Sequence, residues 1–387
     1  MSSRSAFGAD ASALGVCFGG PSPEHDVSIL TGLQACRELV RQGRAVVGLY
    51  WSKTGEWYQV DPSLEAGSFV DGVPRGAEAL RLATGPEGGF ALARATRGLI
   101  SGAKQKTLEI DVVVNCCHGG PGEDGSLQAT FDLAGVRYTG PSAQGAALGM
   151  DKLAFSAVAS IAGLSVLPRV LLDESSSEEQ LDFPGPYIVK PRFGGSSIGV
   201  EVVADLKAAL ACLNASVHLR NGAVVEPYRE DLFDLNVAVR TWPEPQLSAI
   251  EKPERSTAGA EILGYADKYT GGEGMASAPR ELPAQIPEEL ADRLRETALF
   301  TSRPMGTRGV ARVDFLSDGS KELWLNEVNT IPGSLARYLW VDPPVPFGEL
   351  LADMVEEAIR VPAARPNATG ADGTVLRTAG SIAGKLG

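Results

Sequence analysis

Between Val310 and Gly333 the chain reads VARVDFLSDGSKELWLNEVNTIPG, with Arg312 and Asp314 two apart on one apolar run and Glu327 and Asn329 two apart on the next. Side chains two apart on a strand share a face. Asp318 to Glu322 suit a hairpin loop, which predicts Asp314 opposite Glu327 and gathers two carboxylates, an amide oxygen and a guanidinium on one surface. Those oxygens suit a hard divalent cation. Magnesium takes a few carboxylates and completes its shell with phosphate oxygens, and a neighbouring arginine stabilises a phosphoryl group in transfer. Both pairs are embedded in apolar sequence, so plain solvent-facing acids are the weaker reading; a buried carboxylate needs a cation or donors to offset its desolvation. The expected chemistry uses a nucleoside triphosphate.

A second constellation lies upstream. The apolar run PYIVKP carries Lys190 and enters RFGGSSIGV, where Gly194, Gly195, Ser196, Ser197 and Gly199 let backbone N–H groups approach a polyphosphate while the lysine supplies a point charge. The run is neither GxxxxGK[ST] nor GxGxxG, and a Gly/Ser loop between strands is by itself more often a hairpin. The acid pairs downstream favour the phosphate cradle. Lys152, in GMDKLAF, is a helix lysine that alone reads as solvated, but from there it could neutralise the same phosphates from a second side.

The elements that must hold these groups alternate. ALGVCFGG (13–20), AVVGLYWS (45–52) and IDVVVNCC (110–117) read as strands, with a helix over about 27–42 between the first two. Strands alternating with helices predict a parallel sheet with ligands at the strand ends. Residues 1–125 are expected to form such a domain, 126–220 a small α+β unit, 221–362 a larger α+β unit ending in the helix PFGELLADMVEEAIR, and 363–387 a loose tail. Cys116 and Cys117 read as small buried residues ending a strand.

Composition narrows the partners. The chain has 387 residues, 44% hydrophobic and 21% charged, so as a whole it is neither disordered, collagenous nor membrane-embedded. Its net charge of -13 disfavours nucleic acid and anionic membrane and leaves small metabolites. Five cysteines without CxxC spacing, and no charged-then-apolar leader before Ala11, predict a reduced cytoplasmic setting. Three histidines leave little for a histidine-based zinc site.

Seven motifs, GVCFGGPSPEHDVS, CHGGPGEDGSLQ, YTGPSAQGAALGMDK, YIVKPRFGGSSIGV, DKY, GVARVDFL and NEVNTIPG, stand in the order found in D-alanine D-alanine ligases and their D-lactate and D-serine relatives. The chain resembles that family of the ATP-grasp superfamily over roughly residues 13 to 360. The resemblance implies three domains, the first Rossmann-like, with ATP between the last two. It implies that Lys152, Lys190 and Gly194 to Ser197 hold the ATP phosphates, with Glu226 opening the adenine hinge and Asp234 on the ribose. Asp314, Glu327 and Asn329 would hold two Mg²⁺ ions, or Mn²⁺, and Arg312 would stabilise the phosphoryl group and the tetrahedral intermediate. Glu24 would hold a donor amine, with His25 and His118 at the same end of the pocket. Glu24, Ser196 and Tyr269 would form a hydrogen-bonded network, with Lys268 and Tyr269 on a closing loop that keeps water from an acyl phosphate. Gly333, Tyr338 and Leu339 would border the acceptor. The family also implies amino-acid substrates and a homodimer.

Three departures from the family pattern stand out: Gly194 where an acidic residue is frequent, Pro227 where a hinge lysine is usual, and Tyr338 where the acceptor carboxylate normally meets a small hydroxyl side chain. The first two leave ATP chemistry intact, whereas Tyr338 bears on the substrate. The expected function is therefore a carboxylate–amine ligase working through an acyl phosphate. The alternatives are the same chemistry on another substrate, as in mycosporine-like amino acid synthesis, and a nucleotide-binding module without catalysis. Retention of Arg312, Asp314, Glu327, Asn329, Lys152 and Lys190 opposes the last.

Overall fold

The computed structural model describes residues 13–93, 107–254, 279–362, 364 and 368–379. The N-terminal apolar runs become β1 (Ala13–Gly19), β2 (Val46–Trp51) and β6 (Ile110–Asn115), joined by β3 (Trp57–Val60), β4 (Glu78–Ala83), β5 (Gly89–Leu92) and β7 (Arg137–Tyr138) in one sheet of order β5-β4-β3-β2-β1-β6-β7. β2, β1, β6 and β7 are parallel neighbours, whereas β3, β4 and β5 add to β2 as an antiparallel run. The sheet is thus mixed rather than wholly parallel. Through β7 it also reaches Tyr138, past the boundary expected at residue 125.

Alternate residues of β1 and β6 serve opposite faces, as the two-residue period requires. Leu14, Val16, Phe18, Val112 and Val114 enter one core, and Cys17, Val113 and Cys117 the other. The first core is covered by the helix His25–Arg41 and also by Phe347–Arg360, whose Leu350, Leu351, Met354 and Val355 pack into it. That last helix therefore lies on the first sheet, not within a third unit confined to 221–362. All five cysteines are free thiols, with Cys17 and Cys117 Sγ atoms 3.3 Å apart inside the second core.

The central sheet is antiparallel: β8 (Val170–Leu172), β9 (Tyr187–Pro191), β10 (Glu201–Val203) and β11 (Ala223–Pro227), in order β10-β9-β11-β8. β11 carries it beyond residue 220. The third sheet comprises β12 (Phe233–Arg240), β13 (Gln246–Leu247), β16 (Val310–Ser317) and β17 (Leu323–Asn329), in order β13-β12-β16-β17. Between them, β14 (Lys252–Pro253) and β15 (Arg280–Glu281) form a separate antiparallel pair. The helix Lys152–Ile161, expected in the central unit, inserts Phe155 and Ala159 into the core of the third sheet, so Lys152 enters the cleft between the two sheets from a helix anchored on one of them. In the tail, the helix Thr374–Ala379 buries no residue. Among the described residues no helix is long and apolar enough to cross a membrane.

Candidate active site

The β16–β17 hairpin sets Arg312 opposite Asn329 and Asp314 opposite Glu327. Immediately after Asp314 the register shifts, a bulge of the kind that re-aims side chains beside active sites. Arg312 forks onto Asp314, with Nε to Oδ1 at 2.7 Å and Nη2 to Oδ2 at 2.6 Å, and Asn329 Nδ2 donates to Oδ2 at 2.8 Å. Arg312 and Asp314 are buried. Burial disfavours the charged guanidinium, but the Asp314 carboxylate outweighs it and holds Arg312 well above its ordinary range. Among the described residues no three His, Cys, Asp or Glu side chains converge into a self-sufficient metal cluster. Two carboxylates and one amide instead fit a divalent cation that arrives with phosphate oxygens to complete its shell.

Facing the hairpin is a cleft of about 1110 Å³ between the central and third sheets, walled by Lys152, Lys190, Gly194, Asp234, Arg312 and Glu327 among others. Lys190 Nζ donates to Glu226 Oε2 at 2.9 Å, and Arg169 Nε donates to Oε1 of the same carboxylate at 2.7 Å. Glu226 is wholly buried; burial alone would raise its pKa, yet Arg169 and Lys190 draw it down to about 2. Arg169 also donates to the backbone carbonyls of Lys152 and Asn326, which ties the lysine-bearing helix to β17. Lys152 starts its helix. Asp151 caps that helix by accepting from Leu153 N and Ala154 N, each at 3.1 Å, and is itself forked by Arg192. Burial, with Arg169 and Lys190 adding to it, lowers the Lys152 pKa against the opposing pull of Glu327 and Glu226. Its Nζ donates to Gly194 O and stands 4.0 Å from Glu327 Oε2.

Beyond that wall lies a smaller cavity bordered by Glu24, His118, Glu123, Ser196 and Gly333. Glu24 occupies the N-cap of the helix His25–Arg41 but makes no capping bond with its side chain; it accepts from Ser196 Oγ instead. Ser196 and Ser197 have φ of 54° and 57°, a left-handed conformation that costs non-glycine residues energy and is found where function over-determines the backbone. A side chain at Gly119 would put its Cβ 2.3 Å from Glu24 Oε2, and one at Gly195 would sit 3.2 Å from it. Glycine at both positions is what lets the two loops close around this carboxylate.

The structure thus brings Glu24, His118, Lys152, Lys190, Gly194, Gly195, Ser196, Ser197, Asp234, Arg312, Gly333, Asp314, Glu327 and Asn329 to the walls of the two adjoining cavities. His25 lies elsewhere. Its Nδ1 meets Gly20 O at 2.7 Å and its Nε2 meets Tyr50 Oη at 3.3 Å, so it braces the loop below the cavity rather than lining it. Glu226 borders the cleft, but its carboxylate points at Arg169 and Lys190 and serves to hold the lysine. The turn Gly333–Leu339 winds with Ser334, Leu335 and Ala336 at φ of 50–52°, which sinks Leu335, Ala336 and Leu339 into the core. Leu339 is consequently not a described cavity wall, and Tyr338 lies under Arg280, whose Cζ is 4.4 Å from the ring centroid. Its hydroxyl is buried beside Arg312 without a well-aligned hydrogen bond. Lys268 and Tyr269 lie outside the described residues. The sequence reading passed over Arg169 and Glu123; the first has no local signal in LPRVLL, whereas the second stands in the quoted motif CHGGPGEDGSLQ.

The family models for the D-ala D-ala ligase N-terminus and C-terminus match residues 13–141 and 165–356. The chain is 32% identical over 362 residues to the D-alanine–D-alanine ligase of Mycobacterium ulcerans, covering 89% of this chain and 94% of that one. With the D-alanine–D-alanine ligase of Campylobacter lari it shares 30% over 330 residues, 85% of this chain and 89% of the other. The solved VanG D-Ala:D-Ser ligase of Enterococcus faecalis superposes with a TM-score of 0.72 at 25% identity, covering 90% of this chain and 99% of that one. By sequence and by architecture the chain belongs to the D-alanine–D-alanine ligase family of ATP-grasp enzymes, and it is an ATP- and divalent-metal-dependent ligase that joins a carboxylate to an amine in small amino-acid substrates.

Proposed function

We propose that the protein makes D-alanyl-D-alanine or a close dipeptide, with D-alanine as donor. The observation that carries this is the shared wall: Lys152, Gly194, Gly195, Arg312 and Glu327 border both the nucleotide cleft and the smaller cavity that holds Glu24. A donor whose ammonium pairs with Glu24 has its carboxylate turned toward that wall, next to the terminal phosphate. The names of the relatives support D-alanine as that donor.

The donor carboxylate attacks the γ-phosphorus of ATP, the bond to the β–γ bridging oxygen breaks, and an acyl phosphate and ADP result. Asp314, Glu327 and Asn329 would hold two Mg²⁺ ions, which supply Lewis-acid neutralisation of the phosphate charge when bound. Lys152 and Lys190 flank the phosphates from the helix and from β9, and Arg312 stabilises the phosphoryl group and then the tetrahedral intermediate. The amine of the second amino acid attacks the acyl carbon, its proton passes toward the Ser196–Glu24 pair, and phosphate leaves. The working form is a cytoplasmic homodimer, a state that analytical ultracentrifugation reads directly.

Purified protein with ATP, Mg²⁺ and each of a panel of D- and L-amino acids, alone and in pairs, is assayed for phosphate release and product mass. D-alanine alone is expected to give phosphate and the dipeptide mass. Turnover with another pair and none with D-alanine would overturn the substrate while leaving the ligase chemistry standing.

A further inference from the structure

Ile331 is an apolar residue two positions past Asn329, yet both of its backbone polar groups are taken by side chains from a loop 208 and 213 residues earlier in the chain. Its N–H donates to Glu123 Oε1 at 2.9 Å, and its carbonyl lies 2.7 Å from His118 Nδ1. The Thr330 hydroxyl donates to the same Glu123 oxygen at 3.3 Å, while the other oxygen accepts from Gly119 N–H at 2.9 Å. A carbonyl can only accept, so His118 Nδ1 carries the proton and Nε2 accepts from the Thr31 hydroxyl at 2.8 Å. Thr31 Oγ1 in turn accepts from Ser334 N–H at 3.0 Å. Burial, with Arg312 nearby, lowers the His118 pKa to about 4, consistent with this neutral tautomer.

Three side chains from the N-terminal domain therefore grip the segment Thr330–Ser334, which carries Gly333 to the cavity wall. Of these, Glu123 bonds directly to backbone on both sides of that cavity. One of its oxygens holds Gly119, the glycine against which Glu24 rests, and the other holds Thr330 and Ile331. Its carboxylate is buried in the cavity wall, and a shorter or apolar side chain would leave the Gly119 and Ile331 N–H groups without acceptors.

We propose that Glu123 is a positioning residue for amide-bond formation: its two carboxylate oxygens fix the spacing between the loop that supports Glu24 and the loop that carries Gly333, and so the spacing of the two amino-acid subsites. This rests on the ligase function proposed above. Among the described residues, the bonds of Glu123 go to Gly119, Thr330 and Ile331, none of which lines the nucleotide cleft, so ATP binding is expected not to depend on it.

The test uses full-length protein with Glu123→Gln and Glu123→Ala, read by amide hydrogen exchange, ADP affinity, and KM and kcat for the amino acids. Glutamine keeps one acceptor oxygen and the shape of the side chain. The Gln variant is expected to lose protection at one of the Gly119 and Ile331 amides, and the Ala variant at both, with ADP affinity unchanged in each. Turnover should fall about ten- to a hundredfold in Ala, with a rise in amino-acid KM, and by less in Gln, the range found when a residue supporting a site's ligands is lost. Both amides still protected in the Ala variant would overturn the proposal, as would lost protection with unchanged kcat and KM. If the Ala variant does not fold, the Gln variant decides on the same readouts. Should the wild-type protein show no ligase turnover, the failure lies with the proposed function; the exchange data then still decide whether Glu123 ties the two loops.

Discussion

At the scale of single residues, the two facing carboxylates of the hairpin have different duties: Asp314 is buried and forked by Arg312, whereas Glu327 opposite it lies outside that fork and is more open to the cleft. The shared face of Arg312 and Asp314 is readable from their two-residue spacing, whereas the bulge after Asp314 leaves no mark in it. His25 failed for a related reason. It adjoins Glu24 in sequence, but as the first residue of a helix its side chain leaves in a different direction and ends against Tyr50. Glu327 is the exposed member of the carboxylate pair, with a quarter of its side chain open to the cleft and Lys152 at 4.0 Å. Glu327→Ala is expected to abolish turnover by removing a metal ligand and to leave metal-free ADP binding within about twofold, because the adenine end of the cleft is untouched. A Mg²⁺ titration of nucleotide binding, run beside the turnover assay, checks it; undiminished activity would overturn the metal assignment.

At the scale of elements, the glycine-rich loop was found from composition, but what aligns it lies in a buried triad. Glu226 on β11 is gripped by Lys190 from β9 and by Arg169, which ends on β17. Ion pairs across three elements leave no period in the sequence, so the partners of Glu226 were not foreseeable, whereas the resemblance implies a place at the adenine hinge for it. Its folded pKa of about 2 lies below the ordinary 4.5, so the triad's stabilisation is fully present above pH 4.5 and is lost as pH falls toward 2. The loss is on the order of 3 kcal/mol. Glu226→Gln should lower stability at neutral pH by about 3 to 5 kcal/mol, because two buried cations lose their counter-charge, and should flatten the acid limb of the unfolding profile. Chemical denaturation at pH 7 and pH 3 reads both effects, and an unchanged acid limb would count against the triad. The turn Gly333–Leu339 is a second case, since left-handed φ at Ser334 to Ala336 is not foreseeable from non-glycine residues. With Tyr338 packed under Arg280, Tyr338→Ser is expected to cost about 2 to 3 kcal/mol of stability with ADP affinity unchanged. An unshifted amino-acid profile in that variant would confine Tyr338 to packing.

At the scale of the whole molecule, the parallel half of the first sheet was readable from its apolar runs, but the antiparallel run was not, because β4 buries only Leu80 and offers no pattern. Domain limits were misplaced where distant segments share a core, as Phe347–Arg360 does with β1 and β6. That shared packing has a consequence for ligand binding. The nucleotide cleft is walled by the central and third sheets, whereas the smaller cavity draws Glu24, His118 and Glu123 from the first domain and Gly333 from the third. ADP with Mg²⁺ should therefore stabilise the central and third sheets chiefly, by about 2.7 kcal/mol at a hundredfold excess over Kd, whatever the state of the first domain. Lys190→Ala should remove most of that gain if Lys190 holds phosphate as proposed, and it also frees Glu226 from one of its two cations. Hydrogen exchange by segment, with and without Mg²⁺–ADP, distinguishes this from uniform tightening. Slowed exchange in β9, β11, β12 and β16 with little change in β1 and β6 is the expected pattern. Equal slowing in all six strands would mean that the cleft and the smaller cavity respond as one body, and that nucleotide alone closes the amino-acid site.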